Sequence, residues 1–291
     1  MDSFDDLQVL SDNPANQVNP ANQVYEQPKT HKRNKSCLEC LVCCQTSETD
    51  LSQKELYLYY TLKPFCNELY DEANPIHQSK LLDLYFLYFG NPLESQDLNS
   101  EDWMTLGFQS KNAQTDFRGA GLLGLENIKL FIINQKPLVE EMAVKTHEFL
   151  FAMTSLNISF YLKGFFHLAD YLTYERDKKI ICSRDALKNF GLVLENSLKL
   201  NLKKEATAFD VAKNVIYEIH EILLIFCYKK WLHLRIIRKD IIFMDFYKVV
   251  EEMKKLFVDI FNFDEMGSIP QLRDYFQKLV AKFSEEKQEI N

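Results

Sequence analysis

Between Pro137 and Pro270 the chain contains no proline at all. A run of that length needs long regular elements, and residue usage indicates which kind. The whole chain of 291 residues holds only 8 Gly and 8 Pro, against about 7% and 5% in average usage. It is rich instead in Leu, Lys and Glu, which favour helix interiors. Val211, Val215, Ile219, Ile222 and Phe226 recur at helical spacing, as do Phe246, Val249, Val250, Met253 and Phe257. Such stripes mark helices with one buried face. Period-2 alternation is scarce, and the one β-leaning run, 179–182, is brief. The expected fold class is all-α. Helices in the proline-free span should be punctuated at Gly164, at Lys178-Lys179 with Ser183, at Gly191 and at 203–207, while Pro64, Pro75 and Pro92 mark breaks between shorter helices upstream.

Charge and cysteine usage narrow the function classes. A formal net charge of −8 argues against nucleic acid, which requires a basic footprint to displace phosphate counterions. No stretch of about 18 apolar residues is present, so no transmembrane helix is expected; the richest run, 81–89, carries Asp83. The N-terminus lacks the basic and apolar regions of a signal peptide, and the 7 Cys form no disulfide framework, which favours a cytoplasmic protein with reduced thiols. Residues 1–35 contain the tandem hexapeptide Asn13-Pro14-Ala15-Asn16-Gln17-Val18 and Asn19-Pro20-Ala21-Asn22-Gln23-Val24. This polar segment is expected to form a disordered tail. Residues 36–50 read as a Cys-rich linker, and 51–291 as a single multi-helix domain.

Four of the eight glycines fall between Gly107 and Gly124, a concentration that implies positive φ or close backbone approach. Ser100 is placed to cap a short helix through Trp103, with Gly107 closing it at C′. After a polar loop comes Thr115-Asp116-Phe117-Arg118-Gly119-Ala120-Gly121, then a helix facing Leu122, Leu125, Ile128 and Phe131 inward. Spacing alone leaves two readings of Arg118. Either Asp116 pairs with it and pins the turn, or the turn projects a guanidinium toward a partner. The second suits phosphoryl transfer, which needs planar positive donors aimed at charge developing on phosphate oxygens.

The stretch 103–131 resembles the signature of the ELMO domain family, roughly W-x-x-x-G-F-Q, a spacer, T-D-F-R-G-x-G and a Leu-rich helix. Trp103, Gly107, Phe108, Gln109, Thr115, Asp116, Phe117, Arg118, Gly119, Gly121, Leu123, Leu125 and Phe131 fall on it. Weaker likeness extends over 51–291. The resemblance implies an ELMO-type helical domain. Short members of the family are GTPase-activating proteins for Arf and Arf-like small GTPases, so it further implies that Arg118 acts as an arginine finger in trans, with no hydrolase site and no cofactor of the chain's own. The alternative it implies is a non-catalytic adaptor that binds a small GTPase or a Rac exchange factor. Asp116 is then an orienting or helix-capping residue. Gln109 either positions a water or bonds loop backbone. Thr115, Gly119 and Gly121 support the turn, and Trp103, Phe108 and Phe117 are core anchors. Ala113 departs from the family pattern, which commonly has Pro there; the loop loses a restriction on its unfolded ensemble.

Other clusters carry less. Cys37, Cys40, Cys43 and Cys44 lack the second half-site usual for zinc, and no metal is expected. Beside Lys32, Arg33 and Lys35 they are candidates for S-acylation, which would place the chain peripherally on intracellular membranes; the other reading is thiols packed on the domain. Lys229, Lys230, Arg235, Arg238 and Lys239, with Trp231 interleaved, could meet an anionic surface; the expected reading is a solvated helix face. None of the six His has an evident Ser or Cys partner, and neither G-x-S-x-G nor a P-loop is present.

Overall fold

A computed structural model describes residues 51–95, 97–145, 148–169, 184–201, 206–238, 240–263 and 266–290. The tail, the linker with its four cysteines and the run 179–182 lie outside the described residues. Among the described residues there is no strand, and nine α-helices follow in order: α1 (Gln53–Asn67), α2 (Pro75–Phe89), α3 (Asp102–Thr105), α4 (Gly121–Val144), α5 (Phe151–Phe165), α6 (Arg184–Asn201), α7 (Ala208–Ile237), α8 (Phe246–Phe263) and α9 (Ile269–Ile290). The all-α expectation holds.

Helix α7 organises the rest. Thr207 and Asp210 form a capping box, in which Asp210 N–H donates to Thr207 Oγ1 (3.1 Å) and Thr207 N–H to Asp210 Oδ2 (3.2 Å), satisfying amide groups at the start of the helix. Its 30 residues span about 45 Å at the α-helical rise. The stripe of Val211, Val215, Ile219, Ile222 and Phe226 is buried along it. Around this rod pack α1, α4, α5, α6, α8 and α9, while α2 packs against α4. The second stripe lies on α8, with Val249, Met253 and Phe257 fully buried.

Two breaks expected from local sequence are absent. Pro64 lies inside α1 rather than at a boundary. It offers no N–H to the Tyr60 carbonyl one turn back, and the buried face of Leu58, Tyr59, Leu62 and Cys66 holds the helix together across that missing bond. Gly191 lies in the middle of α6. A Cβ there would come within 2.9 Å of Leu51 Cδ2 and 3.1 Å of Glu55 Cδ, so this glycine permits close approach of α1. Pro137 is likewise inside α4, and Gln135 two residues earlier leaves helical geometry (φ −133°, ψ 33°), a kink of the kind proline imposes. Pro75 behaves as expected: it occupies the first turn of α2 behind Asn74, whose side chain accepts the Ile76 N–H at 2.9 Å.

Candidate functional site: the Arg118 turn

The glycine-rich segment builds one continuous structure. Helix α3 is a single turn, and it ends in a Schellman arrangement: Gly107 N–H donates to the Met104 carbonyl (3.0 Å) and Phe108 N–H to the Trp103 carbonyl (3.1 Å). Gly107 has φ +91°, a conformation costly for any residue with a Cβ. A Cβ would also lie 2.6 Å from the Phe151 amide nitrogen, because this corner abuts the start of α5. The N-cap position falls on Glu101 rather than Ser100, yet the Ser100 hydroxyl still accepts the Asp102 N–H at 3.1 Å, one residue away from the expected register.

Beneath the turn the aromatic side chains are sealed. Trp103, Phe108 and Phe117 are each at most 2% exposed. Trp103 Nε1 donates to the Leu98 carbonyl (3.0 Å). Ring contacts run from Trp103 to Phe108 (5.4 Å), to Phe117 (5.7 Å) and on to Tyr70 (5.2 Å) in the α1–α2 connection. Phe117 belongs to the 3-10 turn Ala113–Arg118, which Asn112 opens by accepting the Gln114 N–H at 3.2 Å. Thr115 Oγ1 donates to the Asn112 carbonyl (3.0 Å). Burying Phe117 sends the next side chain, Arg118, outward.

Arg118 is exposed, and among the described residues it has neither a hydrogen bond nor an ion pair. The pairing with Asp116 allowed by spacing therefore does not form as a salt bridge. Asp116 instead accepts the Gln109 backbone N–H at 2.9 Å, tying the corner after α3 to the 3-10 turn. Partial burial pushes the Asp116 carboxyl above the usual range, while the Gln109 N–H and the nearby Arg118 guanidinium pull it back. Nor does Asp116 cap α4, whose N-cap is Ala120 without a side-chain bond. The Gln109 side chain is exposed, and its amide makes no hydrogen bond among the described residues.

The far side of the turn is held by groups that local sequence does not reveal. Gly121 takes φ +61°, and a Cβ there would fall 2.3 Å from the Glu68 carbonyl oxygen. The same oxygen accepts the Leu122 N–H (3.2 Å), so the end of α1 and the start of α4 touch through backbone. Gly119 faces the half-exposed Phe160 ring, at 3.0 Å from a would-be Cβ. Lys163 on α5 is fully buried and donates to the carbonyls of Ala120 (3.0 Å) and Gly119 (3.4 Å). Burial holds its ammonium down to about 8, with the neighbouring Cys66 opposing.

Elsewhere, one sequence inference needs correction. His220 does have a serine partner: Ser155 Oγ lies 2.9 Å from its Nε2. Both side chains are at most 1% exposed, and burial lowers the imidazole to about 4. A sealed pair that no substrate reaches is a core hydrogen bond. The basic run after Lys229 is largely neutralised, since Lys230 meets Glu252 (2.9 Å), Arg235 meets Glu148 (2.8 Å) and Arg238 meets Asp240 (2.8 Å); Trp231 is buried. Among the described residues no group of three or more His, Cys, Asp or Glu gathers as metal ligands, and no helix is long and apolar enough to cross a membrane.

The sequence profile of the ELMO/CED-12 family matches residues 60–250, which takes in α2 to α7 and the whole Arg118 turn. The chain belongs to this family. It is similar to ELMO domain-containing protein 1 of Homo sapiens, 49% identical over 65 residues, 22% of this chain and 19% of that protein. ELMO domain-containing protein 2 of Mus musculus is 34% identical over 95 residues (33% and 31% of the two chains), and ELMO domain-containing protein C of Dictyostelium discoideum 32% over 91 residues (31% and 14%). The matched stretch thus spans about a fifth of the length of the first of these relatives. No solved structure matches the chain significantly.

Proposed function

We propose that this chain stimulates GTP hydrolysis by a small GTPase of the Arf or Arf-like group, with Arg118 entering the partner's nucleotide site. The observation that carries the reading is a guanidinium exposed and free of any ion pair among the described residues, on a turn whose backbone is tied both upstream and downstream. An Arg held by an internal carboxylate would have to break that contact before meeting a phosphate; this one would not. In the reaction a water attacks the γ-phosphorus and the bond to the β-phosphate oxygen breaks, so Arg118 exchanges no atoms. It donates N–H groups to oxygens that gain charge in the transition state. An arginine supplied in trans is worth roughly 10³–10⁵ in rate.

The test is single-turnover hydrolysis across a panel of GTP-loaded small GTPases at saturating concentrations of this protein. Arg118→Ala and Arg118→Lys should each lower the stimulated rate by orders of magnitude, because a point charge does not reproduce the planar fork. A Lys variant as active as the parent, or variants that lose affinity while keeping the saturated rate, would replace catalysis by tethering.

A further inference from the structure

We propose that Lys163 is the positioning residue of the Arg118 turn, an internal staple that fixes the backbone from which the guanidinium projects. A lysine in the last turn of a helix ordinarily runs its stem along the surface and keeps its ammonium in water. Lys163 occupies the last turn of α5 but is 0% exposed, a placement that is rare for this residue type and energetically costly. Its ammonium is directed at the two carbonyls that directly follow Arg118 in the chain, those of Gly119 and Ala120.

These two peptides form the joint between the 3-10 turn and α4. Gly119 has no Cβ to restrict its own dihedrals, and Gly121 beyond it adopts positive φ. By local chemistry the joint is therefore the softest part of the signature. One ammonium gripping two successive carbonyls fixes both peptide planes, and a charged donor does so more strongly than a neutral one. With Asp116 holding the upstream side through the Gln109 N–H, Arg118 is bracketed on either side by contacts that leave its own side chain free.

This inference rests on the finger reading for its functional consequence, while the staple itself is measurable without any GTPase. In single-turnover hydrolysis, Lys163→Met, which keeps the volume and removes the donor, should lower the saturated rate about 10- to 100-fold, the scale on which misplacement of about 1 Å acts. The concentration giving half the maximal rate should change less than about threefold, since a side chain that is 0% exposed offers no surface to a partner. In an Arg118→Ala background the same substitution should have no further effect. A Lys163→Met rate equal to the parent's, or an equal loss with and without Arg118, overturns the positioning role.

Hydrogen exchange supplies the second readout. In Lys163→Met the amides of 119–122 should exchange at least about tenfold faster, with those of α7 unchanged; equal exchange in the two proteins overturns the staple. Should Lys163→Met not fold, lysine-selective NMR of the unaltered protein decides. A Lys163 ammonium whose protons exchange slowly with solvent supports the staple, and one exchanging like surface lysines overturns it. A parent that stimulates no GTPase, combined with a protected 119–122 joint, removes the finger and keeps the staple.

Discussion

Gly90 and Gly121 offer a matched pair for separating two reasons why a chain needs glycine. Both have positive φ, +79° and +61°, so replacement by Ala places a Cβ residue in the left-handed region at about 1–2 kcal/mol, offset by several tenths through a smaller unfolded ensemble. Nothing lies within 4 Å of a Cβ at Gly90, which ends α2 in open space. Gly90→Ala should therefore cost about 1 kcal/mol. At Gly121 the added carbon would sit 2.3 Å from the Glu68 carbonyl oxygen, a backbone atom that cannot rotate aside. The α1–α4 contact must open, and the bond from Leu122 N–H to that oxygen stretches or breaks, leaving polar groups short of partners at about 1–3 kcal/mol. Gly121→Ala should cost about 3 kcal/mol in all. Urea unfolding followed by circular dichroism, with the two variants compared at a common slope, reads both losses. If they prove equal, or if Gly121→Ala costs under about 1 kcal/mol, the close approach beneath the Arg118 turn does not exist as described.

Other consequences are as direct. Arg118→Ala should leave thermal stability within about 0.5 kcal/mol of the parent, as for exposed side chains without partners, and a large loss in a melting experiment would mean that the side chain is structural. His220, held down to about 4 by burial, is neutral in the folded protein while the unfolded chain takes up a proton below about 6.5. Stability should thus fall as pH drops from about 6.5 to about 4, by ~3 kcal/mol in the linkage limit, and His220→Asn should flatten that segment of a stability–pH curve. Leu123 is fully buried at the start of α4; Leu123→Ala should cost about 2–5 kcal/mol, readable as a lowered urea midpoint. Burial pushes the Cys66 thiol up to about 12 and raises that of Cys227, so peptide mapping after iodoacetamide treatment should find both unmodified in the native protein and alkylated in urea. Native-state labelling at either site would contradict the sealed core.

The helical periodicity on α7 and α8 and the closing role of Gly107 could be read from sequence because each depends on neighbours within a turn or two. The burial of Trp103, Phe108 and Phe117 was legible for a different reason: large aromatics carry much apolar area, and burying it is strongly favourable. What local reading missed was contact between distant segments. Lys163 reads as an ordinary last-turn cation, and nothing near it in sequence announces that Gly119 and Ala120, 44 and 43 residues upstream, supply its acceptors. The Glu68 carbonyl beside Gly121 and the Ser155–His220 bond are hidden in the same way. Pro64 and Gly191 misled because a residue's intrinsic preference is small beside the packing of a whole helix face.

The ring sequence from Trp103 through Phe108 and Phe117 to Tyr70 gives the exposed turn an inflexible foundation. A load on its tip would be carried by these rings toward α3 and the α1–α2 connection. The surface offered before an encounter should therefore match the one present after it, with little entropy left to surrender on contact and little freedom to reshape around a poorly fitting visitor.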